Sequence, residues 1–216
     1  MVLRQLQQLL ERTYDVPLGH DVAQFLLTDR SSLPAEHRAT ATDEQLLVAA
    51  DSSGVALGLF LDPAVLARLD AANPLDALNG GNLADCWTAL EGVSHFVYLA
   101  WNAGHDRAVS LLELELQAEI DKYVCSLLLL REQDPTRFPG ELHRALFERA
   151  RVCPALAGER VGLYRRAHGY AARFCRHIGR LLEPCGSHAQ ARARAELRRF
   201  YRLTSPMKQR HIECLA

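Results

Sequence analysis

No CxxC pair occurs among the six cysteines, which stand far apart at positions 86, 125, 153, 175, 185 and 214. That spacing excludes a structural zinc knuckle and a thioredoxin-type redox motif, and no histidine stands near any of them in a nucleophile pattern. The thiols read as reduced, with Cys86 and Cys125 as small apolar residues of a core. Long hydrophobic runs are also missing, since charges interrupt every apolar segment well before the roughly 18 residues of a membrane span. The first ten residues carry no apolar stretch of signal-peptide length. The expectation is a soluble, cytoplasmic chain with no membrane association. Helix-turn-helix, RNA-recognition and zinc-finger signatures are absent, and so are internal repeats and low-complexity tracts.

What is present is apolar bulk and a divided charge. With 216 residues, 49% of them hydrophobic, the chain can bury a full core. The net charge of −1 conceals two unlike parts. Residues 1–135 carry 8 Lys and Arg against 20 Asp and Glu, a charge of −12, and residues 136–216 carry 17 against 6, a charge of +11. Such a split fits two parts packed on each other or charges spread over solvated helix faces. It also fits a basic region that meets nucleic acid or an acidic partner.

Leucines at 3, 6, 9 and 10 predict a helix over 3–13. Asp21 is positioned to cap a short helical turn through Leu27, and 31–43, rich in Ser, Pro, Ala and Thr, reads as an exposed connector. The stretch 44–62 holds two apolar runs around Asp51-Ser-Ser-Gly54, which predicts a β-hairpin with a positive φ at Gly54. An isolated hairpin is marginal in water, so it must pack on helices or pair with another strand. Pro63 starts a short helix through Leu69. After Asn79-Gly-Gly-Asn82 come two long, mostly apolar helices over 83–131, then a Pro-rich connector at 133–140. Helices are predicted over 141–152, 157–182 and 189–203, with Pro154, Pro184 and Pro206 as breaks. The fold class expected is α+β, predominantly helical: residues 1–135 with the hairpin and central helix pair, and a basic helical region, 136–216, docked on them.

The chemistry concentrates in the central pair. The first helix is apolar nearly all round and belongs inside the protein. Its narrow polar sector holds Glu91 and His95, an i,i+4 pair that can grip one ion. In the second, Ser110 and Glu113 form a capping box, and Glu115, Glu119, Lys122 and Ser126 make a polar stripe on an otherwise apolar helix. Carboxylates buried without a partner cost several kcal/mol each, so stripes that face inward require a cation or basic groups. If they line the solvent edge, Glu119 and Lys122 form a weak i,i+3 pair. The metal ligands predicted are Glu91, His95, Glu115 and Glu119, for one divalent ion, with zinc first. The single Glu-x-x-x-His differs from the Glu-x-x-His of di-iron carboxylate bundles.

A hairpin, a helix with an i,i+4 ligand pair, and then Glu115-Leu-Gln-Ala118-Glu119 followed by Tyr123-Val-Cys-Ser-Leu-Leu128 resemble zincin-type peptidases of the ImmA/IrrE-like kind. The resemblance covers about fifty residues and the hairpin. It implies a metal held by two ligands of the first helix and a Glu of the second. The sequence departs from HExxH: Glu91 stands where the first His belongs and Gly92 where the catalytic Glu belongs. Without that base the resemblance implies a non-catalytic regulatory or interaction protein with a protein partner. A metal-dependent hydrolase using the same cluster is the alternative.

In the basic region, Arg165, Arg166, Arg173 and Arg176 alternate with Tyr164, Tyr170 and Phe174, and Arg198 and Arg199 adjoin Phe200 and Tyr201. Arginines beside aromatics would suit a nucleic-acid surface that tracks phosphates and stacks bases. Equally, the aromatics are core residues and the arginines cover its rim through their stems.

Overall fold

In the computed structural model, the described residues are 1–40, 42–51, 54–136, 139–148, 159–183 and 186–215. Ser52 and Ser53 of the hairpin turn, positions 137 and 138 of the connector, and Cys153, Pro154, Pro184 and Cys185 lie outside them. The chain is mainly helical with one small sheet, an α+β arrangement. In order, its elements are α1 (Val2–Tyr14), β1 (Leu26–Leu27), α2 (Ala35–Arg38), β2 (Glu44–Asp51), β3 (Gly54–Leu61), α3 (Pro63–Ala71), α4 (Leu83–Ala103), α5 (Leu111–Gln133), α6 (Glu141–Phe147), α7 (Glu159–Leu182), α8 (Ser187–Tyr201) and α9 (Ser205–Glu213).

The hairpin forms as its pattern dictates, with Asp51 opposite Gly54 and Gly54 at φ 147°. Asp21 does cap a turn, but the helical part is a 3₁₀ segment ending at Phe25. Leu26 and Leu27 instead pair in parallel with Leu59 and Phe60, giving the sheet order β1-β3-β2. Pro206, expected as a break, lies in the first turn of α9, where its missing N–H costs nothing.

Sheet register decides what the hairpin contributes. Leu59 and Leu61 of β3 are fully buried in the main core, while Phe60 points the other way, under the Arg30 guanidinium at 4.6 Å. Glu44 of β2 stands opposite Leu61, so its side chain leaves the face that packs on α4. Helix and sheet approach closely there. A Cβ added to Gly92 would lie 2.6 Å from Leu59 Cδ1 and 2.9 Å from Glu44 Cγ, closer than atoms tolerate. Gly92 thus lets the helix and the sheet approach to this distance.

One hydrophobic core runs from Val2 to Ile212 and includes residues of both the acidic and the basic parts. The basic part docks through its arginines as well as its apolar residues. Arg198 donates to the carbonyls of Thr13 and Arg12 (3.4 and 3.3 Å), and Arg202 to those of Tyr14 and Asp15 (2.9 and 2.8 Å). Two guanidiniums therefore satisfy the open carbonyls at the C-terminus of α1.

Candidate metal centre

Glu91 and His95 leave α4 one turn apart, and Glu115 meets them from the first turns of α5. One donor atom from each of the three lies within 4.8 Å of the others. His95 Nε2 is 3.9 Å from Glu115 Oε2, and Nδ1 is 3.5 Å from Glu44 Oε1. His95 and Glu115 are buried and Glu91 is partly exposed, so the cluster sits at the edge of the core. His95 Nε2 is shielded from solvent and has no hydrogen-bond partner among the described residues. An orphaned buried ring nitrogen is costly, and here it faces carboxylates. Donors bound to zinc at about 2.0–2.2 Å sit roughly 3.3–3.6 Å apart in a tetrahedron, so this cluster must draw in by up to about 1.5 Å to close on an ion.

The second ring nitrogen lies 3.5 Å from a carboxylate oxygen, close to the arrangement that fixes metal-binding histidines. With Nδ1 toward Glu44, Nε2 faces Glu115. In the metal-free protein the ring is itself the cation. Burial disfavours its charge, but Glu44, Glu115 and Glu91 together prevail and raise its pKa to about 9. Burial raises Glu115 to about 7, against the pull of His95, and burial also raises Glu44. An ion would take the place of the Nε2 proton.

The structure does not bring Glu119 into this cluster. One of its oxygens pairs with Lys122 and the other with His168 Nδ1 at 2.9 Å. Despite burial, which opposes ionisation, these two partners hold the Glu119 carboxyl below the usual range. The Glu119–Lys122 pair forms at i,i+3, but inside the protein, and Lys122 also reaches Glu91 at 3.1 Å. The polar stripes of α4 and α5 therefore face inward, joined by an internal ammonium. Ser126, the last member of the α5 stripe, accepts from Trp87 Nε1 at 2.9 Å.

Ser110 caps α5 through the Glu113 N–H at 3.2 Å, as the capping box predicts, but the Glu113 carboxylate turns elsewhere and accepts from Tyr98 Oη at 2.5 Å. It belongs to a second buried network that the sequence reading missed. Lys208 of α9, with no solvent exposure, donates to Tyr98 Oη and Gln117 Oε1, both at 2.9 Å. Gln117 donates to Asp121 at 2.8 Å, Ser94 donates to it at 2.6 Å, and Tyr14 is its third donor. The i,i+4 ladder of Glu113, Gln117 and Asp121 was the available signal. Glu44 was missed as well, its signal being a carboxylate in register with the apolar alternation of β2.

Of the arginines weighed for nucleic acid, Arg165, Arg166, Arg173, Arg176 and Arg199 are exposed. Arg173 covers the Tyr170 ring at 5.7 Å, Arg166 donates to Gln209 at 3.3 Å, and Arg199 pairs with Glu196 at 3.9 Å. Their aromatic neighbours Phe174, Phe200 and Tyr201 are buried, and Phe174 stacks on Phe200 at 3.9 Å. No described helix is long and apolar enough to cross a membrane. Comparison with protein-family models, with curated proteins and with solved structures returns no match.

Proposed function

We propose that this chain is a non-catalytic regulatory or interaction protein built around a single divalent metal ion, held by Glu91, His95 and Glu115. Zinc is the first choice for a ligand set of two carboxylates and an imidazole. The observation that carries the reading is the buried His95 Nε2, without a hydrogen bond and facing carboxylates, with Glu44 behind Nδ1. Support for a non-hydrolytic role comes from the neighbouring carboxylates. Glu44 fills the space beside Gly92 and faces the histidine ring, and Glu119 is tied to Lys122 and His168. Glu119 is therefore not free to activate a water, the task of a general base in metal-assisted hydrolysis, and Glu44 is turned to the imidazole.

The test is element analysis of untagged protein, with thermal unfolding before and after chelation. The expected result is about one zinc per chain, a lower Tm after chelation, and loss of both the metal and the shift in His95→Ala and Glu115→Gln. Metal-free protein whose Tm ignores added Zn²⁺, Mn²⁺ and Fe²⁺ would sink the proposal. Metal-dependent peptide hydrolysis that disappears in Glu44→Gln would instead make the centre an enzyme site with Glu44 as its base.

A further inference from the structure

Among the described residues, a cavity of about 600 Å³ opens between α1, the C-terminal ends of α5 and α7, and the first turns of α8. It is remote from the metal centre: Arg131 follows Glu115 along α5 by 16 residues, about 24 Å at 1.5 Å per residue. Its floor is aliphatic, made by Leu9, Leu128, Leu182 and Leu197. Its rim is cationic, with Arg12, Arg131 and Arg194 against the single carboxylate of Glu132.

The arginines of the rim differ in state from those that dock α8 on α1. Arg198 and Arg202 are engaged with the carbonyls of α1, and Arg199 with Glu196. Arg131 donates one bond, to the Leu182 carbonyl at 2.6 Å, which fixes the end of α7 at the edge of the cavity. Among the described residues the guanidiniums of Arg12 and Arg194 have no hydrogen bond and no ion pair, though they stand at the same opening. The first turn of α8 reaches the cavity through Gly186 and Gln190, and so adds the positive end of a helix dipole. Cavities of small-molecule sites run from about 300 to 1,000 Å³, largely apolar with a few convergent polar groups.

We propose that this cavity binds a small amphiphilic anion: a carboxylate whose aliphatic or aryl body lies on the leucine floor and whose head is held by Arg12 and Arg194. Guanidinium groups grip a carboxylate through two parallel N–H···O bonds, and removing the apolar surface of the body from water supplies the rest of the affinity. Neither part suffices alone. The site is independent of the metal centre and stands whether or not an ion is bound there.

Isothermal titration of the full chain with decanoate, at low ionic strength and neutral pH, tests this. The expected result is saturable binding of one decanoate per chain, weakened at least about tenfold in the Arg12→Ala/Arg194→Ala variant. Both arginines are exposed, so the variant folds, and its circular dichroism verifies that. Decanol, with the body alone, and inorganic phosphate, with a charge alone, are each expected to bind at least about tenfold more weakly than decanoate. The proposal is overturned by an absence of saturable decanoate binding, by equal affinity in the double variant, or by either control binding as tightly as decanoate.

Discussion

Lys208 makes the fold's stability depend on pH in a direction that can be worked out in advance. Burial lowers its pKa from 10.5 to about 7, and the opposing charges of Glu113 and Asp121 do not restore it. The unfolded chain therefore holds a proton on this lysine between about pH 7 and pH 10.5 that the folded chain lacks, and stability rises with pH across that window. The slope is about 1.4 kcal/mol per pH unit for one proton. The ammonium's full penalty, reached below the folded pKa, is on the order of 5 kcal/mol. In the metal-free protein His95 acts with the opposite sign. Its folded pKa of about 9 lies above the ordinary 6.5, so its contribution is fully present below the lower value and is lost as pH rises through the upper one. The two slopes oppose each other between about pH 7 and 9 and flatten the wild-type profile there.

Replacing Lys208 by Met separates them. Methionine keeps an apolar stem beside Tyr98, Phe200 and Tyr201, whose rings lie 4.5, 5.0 and 5.7 Å from the ammonium nitrogen. The assay is urea unfolding of chelator-treated wild type and variant at pH values from about 6 to 10, followed by far-UV circular dichroism and extrapolated linearly. The expected outcome is a difference, wild type minus variant, that climbs by roughly 4 kcal/mol from about pH 7 to about pH 10. Because His95 titrates in both proteins, the variant alone falls in stability between about pH 7 and 9. A difference that stays flat with pH would refute the reasoning, because Lys208 would then titrate alike in folded and unfolded chains.

Other outcomes follow from particular contacts. Gly92→Ala puts a methyl against Leu59 and Glu44 and is expected to cost about 1–3 kcal/mol in urea unfolding; an unchanged midpoint would contradict the close approach of α4 and β3. Tyr14→Phe removes one of three donors to the buried Asp121 carboxylate, and a loss of about 1.5–3 kcal/mol is expected at neutral pH, above the value of about 6 to which burial raises this acid. Burial also raises the Cys86, Cys125 and Cys175 thiols, to about 12 for Cys86, so alkylation of native protein followed by peptide mapping should modify exposed Cys214 and spare those three. Arg198→Ala/Arg202→Ala leaves carbonyls of α1 open and is expected to lower Tm, with raised amide exchange confined to the α1–α8 contact.

Periodicity by itself determined the hairpin, the central helix pair and the spacing of Glu91 and His95, because each depends on residues within a few positions of one another. Ser110 as a cap and Gly54 at positive φ are of the same kind, local geometry written in local sequence. The tertiary structure decided which polar groups meet. Glu115 and Glu119 look equivalent along α5, yet one joins His95 and the other joins Lys122 and His168, because α4 brings its histidine to the first position and α7 brings one to the second. Glu44 came into the site through strand register, and Lys208 into the core through α9, each from far along the chain. Gly92 shows the division most plainly. The sequence offered it as a missing catalytic base, and the packing of a sheet against a helix gives it a steric reason to be there.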